Sequence, residues 1–273
     1  MKKYVIILTS VLFLFIVSCG NSKDKTGDQV VSIETEFGVI KLKLYDETPE
    51  HKKNFLKLAE EGFYDGLLFH RVIQNFMIQG GDPDSRNAQK GIRLGGGSSG
   101  YTIPAEFVPK YFHKKGALAA ARKGSSANPE KRSSGSQFYI VQGEVFSQGK
   151  LDTLEMMKNN SLKNELMKEE LSKSNEELNV YMKNQDQAGF NLRVAEIREK
   201  VDSIFNAGQK FAFTDEQKEI YTTIGGYPSL DGEYTVFGEV IEGLDVLDQI
   251  AAVETDENNR PVKDIKMKVE ISK

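Results

Sequence analysis

Polar and apolar side chains alternate with period two at both ends of this chain, and that alternation restricts the fold more than any other feature. It runs from residue 30 to residue 44 on either side of Gly38, and it returns from residue 265 to residue 271. Successive side chains of a β-strand point to opposite faces. The first segment therefore predicts a hairpin, and the last predicts a strand that pairs with it to close the sheet.

Short strand-like runs recur between glycine-rich turns in the rest of the chain: LLFHRVI, FMIQG, QFYIVQ and YTVFGEV. This arrangement favours an antiparallel barrel or sandwich. Two short helices are also indicated. The first begins with Thr48 as N-cap and Pro49 in the first turn, and it ends at Gly62. The second is indicated by apolar residues between positions 244 and 251.

One stretch breaks the rhythm of strands and turns. Residues 151–207 contain no proline and one glycine, and lysine, glutamate, asparagine and leucine dominate, so we predict helices there. Apolar residues repeat along one seam in alternating steps of four and three: Phe190, Val194, Ile197, Val201 and Ile204. We expect the seam to pack on an earlier helix, such as one carrying Leu151, Leu154 and Met157, and the alternative is a coiled-coil dimer.

The first residues have the layout of a secretion signal. Lys2 and Lys3 precede an apolar run, residues 4–17, which is shorter than the ~20 residues of a membrane-spanning helix. The run ends in Ile-Val-Ser-Cys, which resembles a bacterial lipobox, and Cys19 is the only cysteine. We expect a signal peptide over residues 1–18, lipidation of Cys19 and a flexible tether over residues 19–29. The alternatives are an ordinary cleavage site and a permanent transmembrane anchor.

These expectations place the protein in a bacterial cell envelope, anchored to a membrane by lipid, either in the periplasm or at the outer membrane. The single cysteine excludes an internal disulfide. The net charge of −4 gives no indication of nucleic-acid binding. The oligomeric state is left open.

Five ordered segments carry a resemblance to a known family: FHRVIQNFMIQGGD at 69–82, GYTIPAEF at 100–107, GALAAAR at 116–122, GSQFYI at 135–140 and LDGEYTVFGEV at 230–240. Together they resemble the cyclophilin-type peptidyl-prolyl cis/trans isomerases. The resemblance implies a mainly β fold, a closed eight-stranded antiparallel β-barrel capped by two helices. It also implies one isomerase domain over residues 30–273, interrupted by a helical insertion over residues 147–224.

The resemblance also implies roles for individual residues. Arg71 takes the place of the family's catalytic arginine, and Gln79 and Gln137 match the polar residues that orient arginine and substrate. The substrate-binding positions, which include a proline pocket and a stretch that pairs with substrate backbone, fall on Phe76, Met77, Ala121, Arg122, Tyr139, Leu230 and Tyr234. Tyr234 stands where many family members have histidine.

The implied reaction is rotation about X-Pro bonds in exported polypeptides. It transfers no proton or chemical group, so we expect no cofactor, metal or general base. The rival hypothesis is a non-catalytic, chaperone-like module that binds proline-containing segments. Phe76 and Met77 also allow a structural interpretation, because adjacent residues of a regular strand point to opposite faces.

Overall fold

The structure is a computed structural model that describes residues 29–272. Within that range the strands are β1 (Val30–Thr35), β2 (Gly38–Leu44), β3 (Arg71–Ile73), β4 (Met77–Gly80), β5 (Thr102–Ile103), β6 (Ala117–Ala120), β7 (Ser133–Ser134), β8 (Phe138–Val141), β9 (Val236–Glu242) and β10 (Lys268–Ile271). The α-helices are α1 (Pro49–Glu60), α2 (Gln148–Lys173), α3 (Asn175–Lys183), α4 (Gln187–Ala207), α5 (Asp215–Thr223) and α6 (Leu244–Ala251). Two short 3₁₀ helices cover Pro83–Ser85 and Pro228–Leu230.

Eight strands form one antiparallel sheet in the order β10-β1-β2-β9-β6-β8-β4-β3. The predicted hairpin is confirmed, with Ile33 opposite Ile40, and the last strand pairs with β1. Because side chains alternate along each strand, one face of the curved sheet carries a continuous apolar core, and the side chains of the opposite face lie outside that core. A separate two-stranded sheet of β5 and β7 was not predicted.

The sheet is a half-barrel, which corrects the predicted closed barrel. Among the described residues no ladder joins β3 to β10. The two end segments are linked by one isolated bridge between Leu68 and Lys266, beside which the Phe69 N–H donates to the Ile265 carbonyl at 2.9 Å. Gly66, at φ +76°, turns the chain just before this segment, so a regular strand cannot extend back through it.

Two helices, α1 and α6, pack on the inner face of the half-barrel as predicted. The buried residues of α1 that join the core are Phe55, Leu58 and Ala59, and those of α6 are Val246, Leu247, Ile250 and Ala251. Pro49 does begin α1, but the Thr48 hydroxyl donates to the Tyr45 carbonyl at 3.3 Å and does not cap the helix. Thr48 is nevertheless the N-cap residue of α1, as predicted.

The stretch between β8 and β9 folds into four helices, α2 to α5. In the predicted seam of α4, Ile197 and Val201 are buried, and Phe190 and Val194 are partly buried. Its partners on α2 are Leu166, Met167 and Leu171, which lie more than three turns beyond the expected Leu151 and Leu154. Met157 and Ile204 are exposed.

Leu151 and Leu154 instead attach the four helices to the barrel. They pack with Phe112, Phe213 and Tyr221 in a separate apolar cluster. No helix within residues 29–272 combines the length and apolarity needed to cross a bilayer. The predicted signal peptide, Cys19 and nearly all of the predicted tether lie outside the described residues.

Stability should depend on pH through His70, which is 2% exposed. Burial lowers the pKa of His70 from 6.5 to about 4, against the opposing effect of the Asp82 carboxylate. The unfolded chain then binds a proton that the folded chain does not, so stability is complete above the unfolded pKa and falls as the pH falls towards the folded pKa. Between about pH 7.5 and about pH 4.5 we expect the free energy of unfolding to drop by about 2–3 kcal/mol from this residue.

Urea unfolding at the two pH values measures this drop. A His70→Gln variant should show a shallower dependence than the wild type. Parallel pH dependences of the two proteins would contradict the assignment.

Candidate active site

The outer face of the half-barrel presents a row of side chains that sheet register brings together. Arg71 on β3 pairs with Gln79 on β4, Gln79 with Tyr139 on β8, and Tyr139 with Ala119 on β6. These four residues share one face, because paired residues of neighbouring strands point the same way. The neighbouring residues along the same strands point inward to the core: Val72, Ile78, Ile140 and Leu118.

Hydrogen bonds link Arg71 to a glycine-rich loop through two glutamines. The Arg71 Nη1 donates to Gln79 Oε1 at 3.2 Å, and Gln79 Nε2 donates to Gln137 Oε1 at 3.0 Å. Gln137 Nε2 then donates to the carbonyls of Gly95 and Gly97, at 3.2 Å and 2.8 Å. Each amide is used as both donor and acceptor, so the direction of the whole chain is set.

The charge of Arg71 is not neutralised by a carboxylate in the described part of the chain, where none lies within ion-pair distance. Partial burial lowers the pKa of Arg71, and Tyr234 opposes that effect. An arginine side chain stays protonated in proteins and carries five N–H donors. Gln79 takes one of them, and the guanidinium carbon lies 5.8 Å from the centre of the Phe76 ring.

An open cavity of about 560 Å³ lies beside the guanidinium. Nine of the ten residues predicted for catalysis and substrate binding line it: Arg71, Phe76, Met77, Gln79, Ala121, Arg122, Tyr139, Leu230 and Tyr234. The tenth, Gln137, is buried one hydrogen bond behind Gln79. The structure thus brings all ten together, while the role of each residue stays a prediction.

Phe76 and Met77 both face the cavity although they are adjacent in sequence. Met77 is the first residue of β4, whereas Phe76 lies in the turn between β3 and β4. Strand alternation therefore does not apply to the pair, and the structural interpretation of one of them is not needed. The Phe76 ring packs on Tyr227 with 4.3 Å between ring centres.

In the stretch predicted to pair with substrate backbone, the backbone groups of Ala121 are already hydrogen-bonded and, within the described residues, those of Arg122 are not. The Ala121 N–H donates to the Gln137 carbonyl at 3.0 Å, and the Ala121 carbonyl accepts from the Ser134 N–H at 2.8 Å. No backbone hydrogen bond of Arg122 is found within residues 29–272. The Arg122 side chain is occupied, since it donates to the Glu233 carboxylate at 3.0 Å. Arg122 thus offers its backbone, and Ala121 offers a small side chain.

Residues 93–96 also line the cavity and were not predicted as site residues. They belong to the glycine-rich tract before Gly100, which has no strand or helix pattern. The sequence of such a loop does not indicate where the loop lies in the fold, because hydrogen bonds from Gln137 to the Gly95 and Gly97 carbonyls hold it in place.

A buried network behind the cavity was also missed. His113 Nδ1 lies 2.9 Å from Asp231 Oδ1, and His113 Nε2 lies 2.9 Å from the Tyr139 hydroxyl. The Tyr221 hydroxyl, on α5, donates to Asp231 Oδ2 at 2.7 Å. Burial raises the pKa values of Tyr139 and Tyr221, so both hydroxyls keep their protons. Since a carboxylate only accepts, His113 donates from Nδ1 to Asp231.

The fold and the site together define a class of protein: an antiparallel half-barrel whose outer face carries a cavity with a cation and an apolar wall. A sequence profile of the family described as "Cyclophilin type peptidyl-prolyl cis-trans isomerase/CLD" matches residues 30–188 and 194–271. The chain belongs to this family.

Relatives with similar sequences carry names of the same activity. One from Staphylococcus haemolyticus, named as a peptidyl-prolyl cis-trans isomerase, is 28% identical over 246 residues, which cover 90% of this chain and 91% of the relative. One from Streptococcus pyogenes, named as a bifunctional phosphatase/peptidyl-prolyl cis-trans isomerase, is 31% identical over 247 residues. That match covers 89% of this chain and only 38% of the relative.

Solved structures support the fold. A cyclophilin-type peptidyl-prolyl cis-trans isomerase of Cryptosporidium parvum superimposes with a TM-score of 0.51 at 22% identity, covering 90% of this chain and 99% of that chain. A second structure of that protein, determined in the presence of the dipeptide Ala-Pro, gives a TM-score of 0.50.

Replacing Tyr221 by phenylalanine removes a buried hydrogen-bond donor to Asp231. Because Asp231 directly follows Leu230, which lines the cavity, this loss should weaken the cavity wall. We expect a loss of about 1–3 kcal/mol in the free energy of unfolding and a several-fold lower kcat/KM for X-Pro peptides. Urea unfolding and a protease-coupled isomerisation assay measure the two effects. Tyr181→Phe on α3 is the matched control. Wild-type stability of Tyr221→Phe would show that the network is not used.

Proposed function

We propose that this protein accelerates cis/trans rotation of X-Pro bonds in exported polypeptides during folding. The observation that carries the proposal is the Arg71 guanidinium, which has no carboxylate partner among the described residues and lies beside a cavity with an apolar wall and room for a prolyl ring. Family membership and the names of the relatives support the same reaction. The Cryptosporidium protein, whose structure was also determined in the presence of Ala-Pro, supports a proline-containing peptide as the substrate.

The chemistry follows from the barrier to rotation. The peptide C–N bond has partial double-bond character, and rotation about it costs ~18–20 kcal/mol. At the twisted transition state amide resonance is lost, and the prolyl nitrogen becomes pyramidal with a lone pair that accepts a hydrogen bond. A guanidinium donor beside that nitrogen stabilises the twisted state and not the planar ones. Such selective stabilisation of the transition state raises the rate.

The neighbours of Arg71 suit this task because they hold the cation without cancelling its charge. Gln79 accepts one N–H bond from Arg71 and is itself held by Gln137. A carboxylate in the place of Gln79 would attract the guanidinium and compete with the weak prolyl acceptor. Neutral amides avoid that competition, so the donors of Arg71 stay available for the substrate.

The apolar wall would hold the pyrrolidine ring while the preceding carbonyl swings. Phe76 and Met77 come from the β3–β4 turn and β4, Tyr139 from β8, and Leu230 from a 3₁₀ helix. Three of the four supporting segments are joined to the rigid sheet. The free backbone groups of Arg122, just beyond the end of β6, suit hydrogen bonds to the adjacent substrate peptide in an extended conformation.

Arg71→Ala should lower kcat/KM for a proline tetrapeptide by about 100-fold, because a donor to the transition state is lost while the slot remains. Arg71→Lys should recover part of the loss, since lysine keeps the charge but not the planar geometry. Arg198→Ala, which removes an exposed arginine on α4, is the matched control and should behave as wild type. A protease-coupled assay measures all four proteins.

Equal rates for wild type and Arg71→Ala would refute catalysis by this site. Retained peptide binding without any rate enhancement in the wild type would favour the non-catalytic, chaperone-like module.

We further propose that the protein is anchored in a bacterial cell envelope by lipid on Cys19. The support is the sequence alone: the signal layout before Cys19 and its single cysteine. Cys19→Ser should abolish incorporation of radiolabelled fatty acid and move the protein from the membrane to the soluble fraction, whereas Ser22→Ala should not. Membrane association that survives Cys19→Ser would overturn lipid anchoring.

A further inference from the structure

A second groove, which we name the insertion groove, lies between the barrel and the inserted helices. It has a volume of about 580 Å³. The barrel contributes Phe107, Pro109 and Tyr234, and the inserted helices and the loop after α4 contribute Lys158, Leu162 and Phe211.

Hydrogen bonds hold the walls of this groove in place. The Asn159 side chain brackets Phe211: Nδ2 donates to its carbonyl at 2.9 Å, and Oδ1 accepts from its N–H at 2.8 Å. Lys158 Nζ donates to the Asp231 carbonyl at 3.1 Å and so ties α2 to the barrel loop. The groove is therefore preformed, and an occupant would not have to order it on binding.

The exposed surface of the groove is apolar where the two sides face each other. Phe107 on the barrel is 42% exposed, and Leu162 on α2 is 40% exposed. The two lysines of the groove are already engaged, since Lys158 lies 4.5 Å from the centre of the Phe211 ring and Lys131 pairs with Glu233 at 2.7 Å. An exposed apolar groove with a polar rim is typical of a binding site.

The insertion groove adjoins the isomerase cavity. Tyr234 lines both. Leu230 lines the cavity, and the next residue, Asp231, lines the groove. An extended chain advances ~3.3 Å per residue, so a polypeptide leaving the cavity past Tyr234 reaches the groove within a few residues.

We propose that the insertion groove binds an apolar or aromatic side chain of the same polypeptide whose proline occupies the isomerase cavity. This inference rests on the proposed function and adds a substrate preference to it: prolines flanked by apolar segments, as in unfolded chains. The remote contact adds binding energy to the ground state and the transition state alike, so it lowers KM and raises kcat/KM.

The test compares full-length protein acting on five peptides. One is a proline tetrapeptide, two are extended by four residues containing leucine and phenylalanine before or after that core, and two carry serine and glycine extensions instead. We expect one apolar extension to raise kcat/KM by about tenfold over the tetrapeptide and over its polar counterpart. Leu162→Glu and Phe107→Glu should remove that gain and keep the tetrapeptide rate within about twofold, because neither residue lines the isomerase cavity.

Leu192→Glu is the matched control, since Leu192 is 64% exposed on α4 and lies outside the groove. It should keep the gain. Circular dichroism checks that each variant is folded, and Leu162→Ala replaces Leu162→Glu if the charge prevents folding.

No gain for either apolar extension, or a gain that survives Leu162→Glu and Phe107→Glu, would overturn the inference. So would a wild-type dimer that Leu162→Glu converts to monomer without any peptide effect, because the occupant would then be a second copy of the chain. Failure of the proposed function looks different: the wild type would not accelerate the tetrapeptide. In that event, fluorescence anisotropy of a labelled extended peptide still tests the groove.

Discussion

The site depends on one constraint, the alternation of side chains across four paired strands. Register places Arg71, Gln79, Tyr139 and Ala119 in one row on the outer face, and it sends their neighbours into the core. The same hydrogen-bonded ladder thus supports the folding core on one side and the cavity on the other. A slip of one residue in β4 would bury Gln79 and expose Ile78, so the core itself enforces the geometry of the site.

The electrostatics of the cavity follow from that row. Arg71 is half-buried, yet its partner in the row is a neutral amide, and the amide chain ends on backbone carbonyls of the 95–97 loop. The cation therefore keeps unused donors in a partly desolvated place, where hydrogen bonds are stronger than in water. This combination suits a reaction in whose transition state the lone pair of the prolyl nitrogen becomes available as a hydrogen-bond acceptor.

Period-two patterning predicted the hairpin and the last strand, and apolar spacing predicted the helices α1 and α6, because each is encoded locally. The ordered motifs predicted ten site residues, and these ten lie together in the structure. Barrel closure was wrong because the turn at Gly66 shortens the edge pairing. Sequence reasoning missed three features: the partners of the α4 seam, the loop at 93–96 and the His113–Asp231–Tyr221 contacts. Each depends on contacts between residues far apart in sequence, and no local pattern records such contacts.

Helices α2 to α5 are joined to the cavity through Tyr221, Asp231 and Lys158, so they form one body with the wall that carries Leu230. The most direct test of the role of Arg71 is a crystal structure of the protein with a bound X-Pro peptide. We predict the pyrrolidine ring against Phe76 and Leu230, with an Arg71 N–H within hydrogen-bonding distance of the prolyl nitrogen or its carbonyl. A proline bound elsewhere, or an Arg71 side chain turned away from the peptide, would contradict that role.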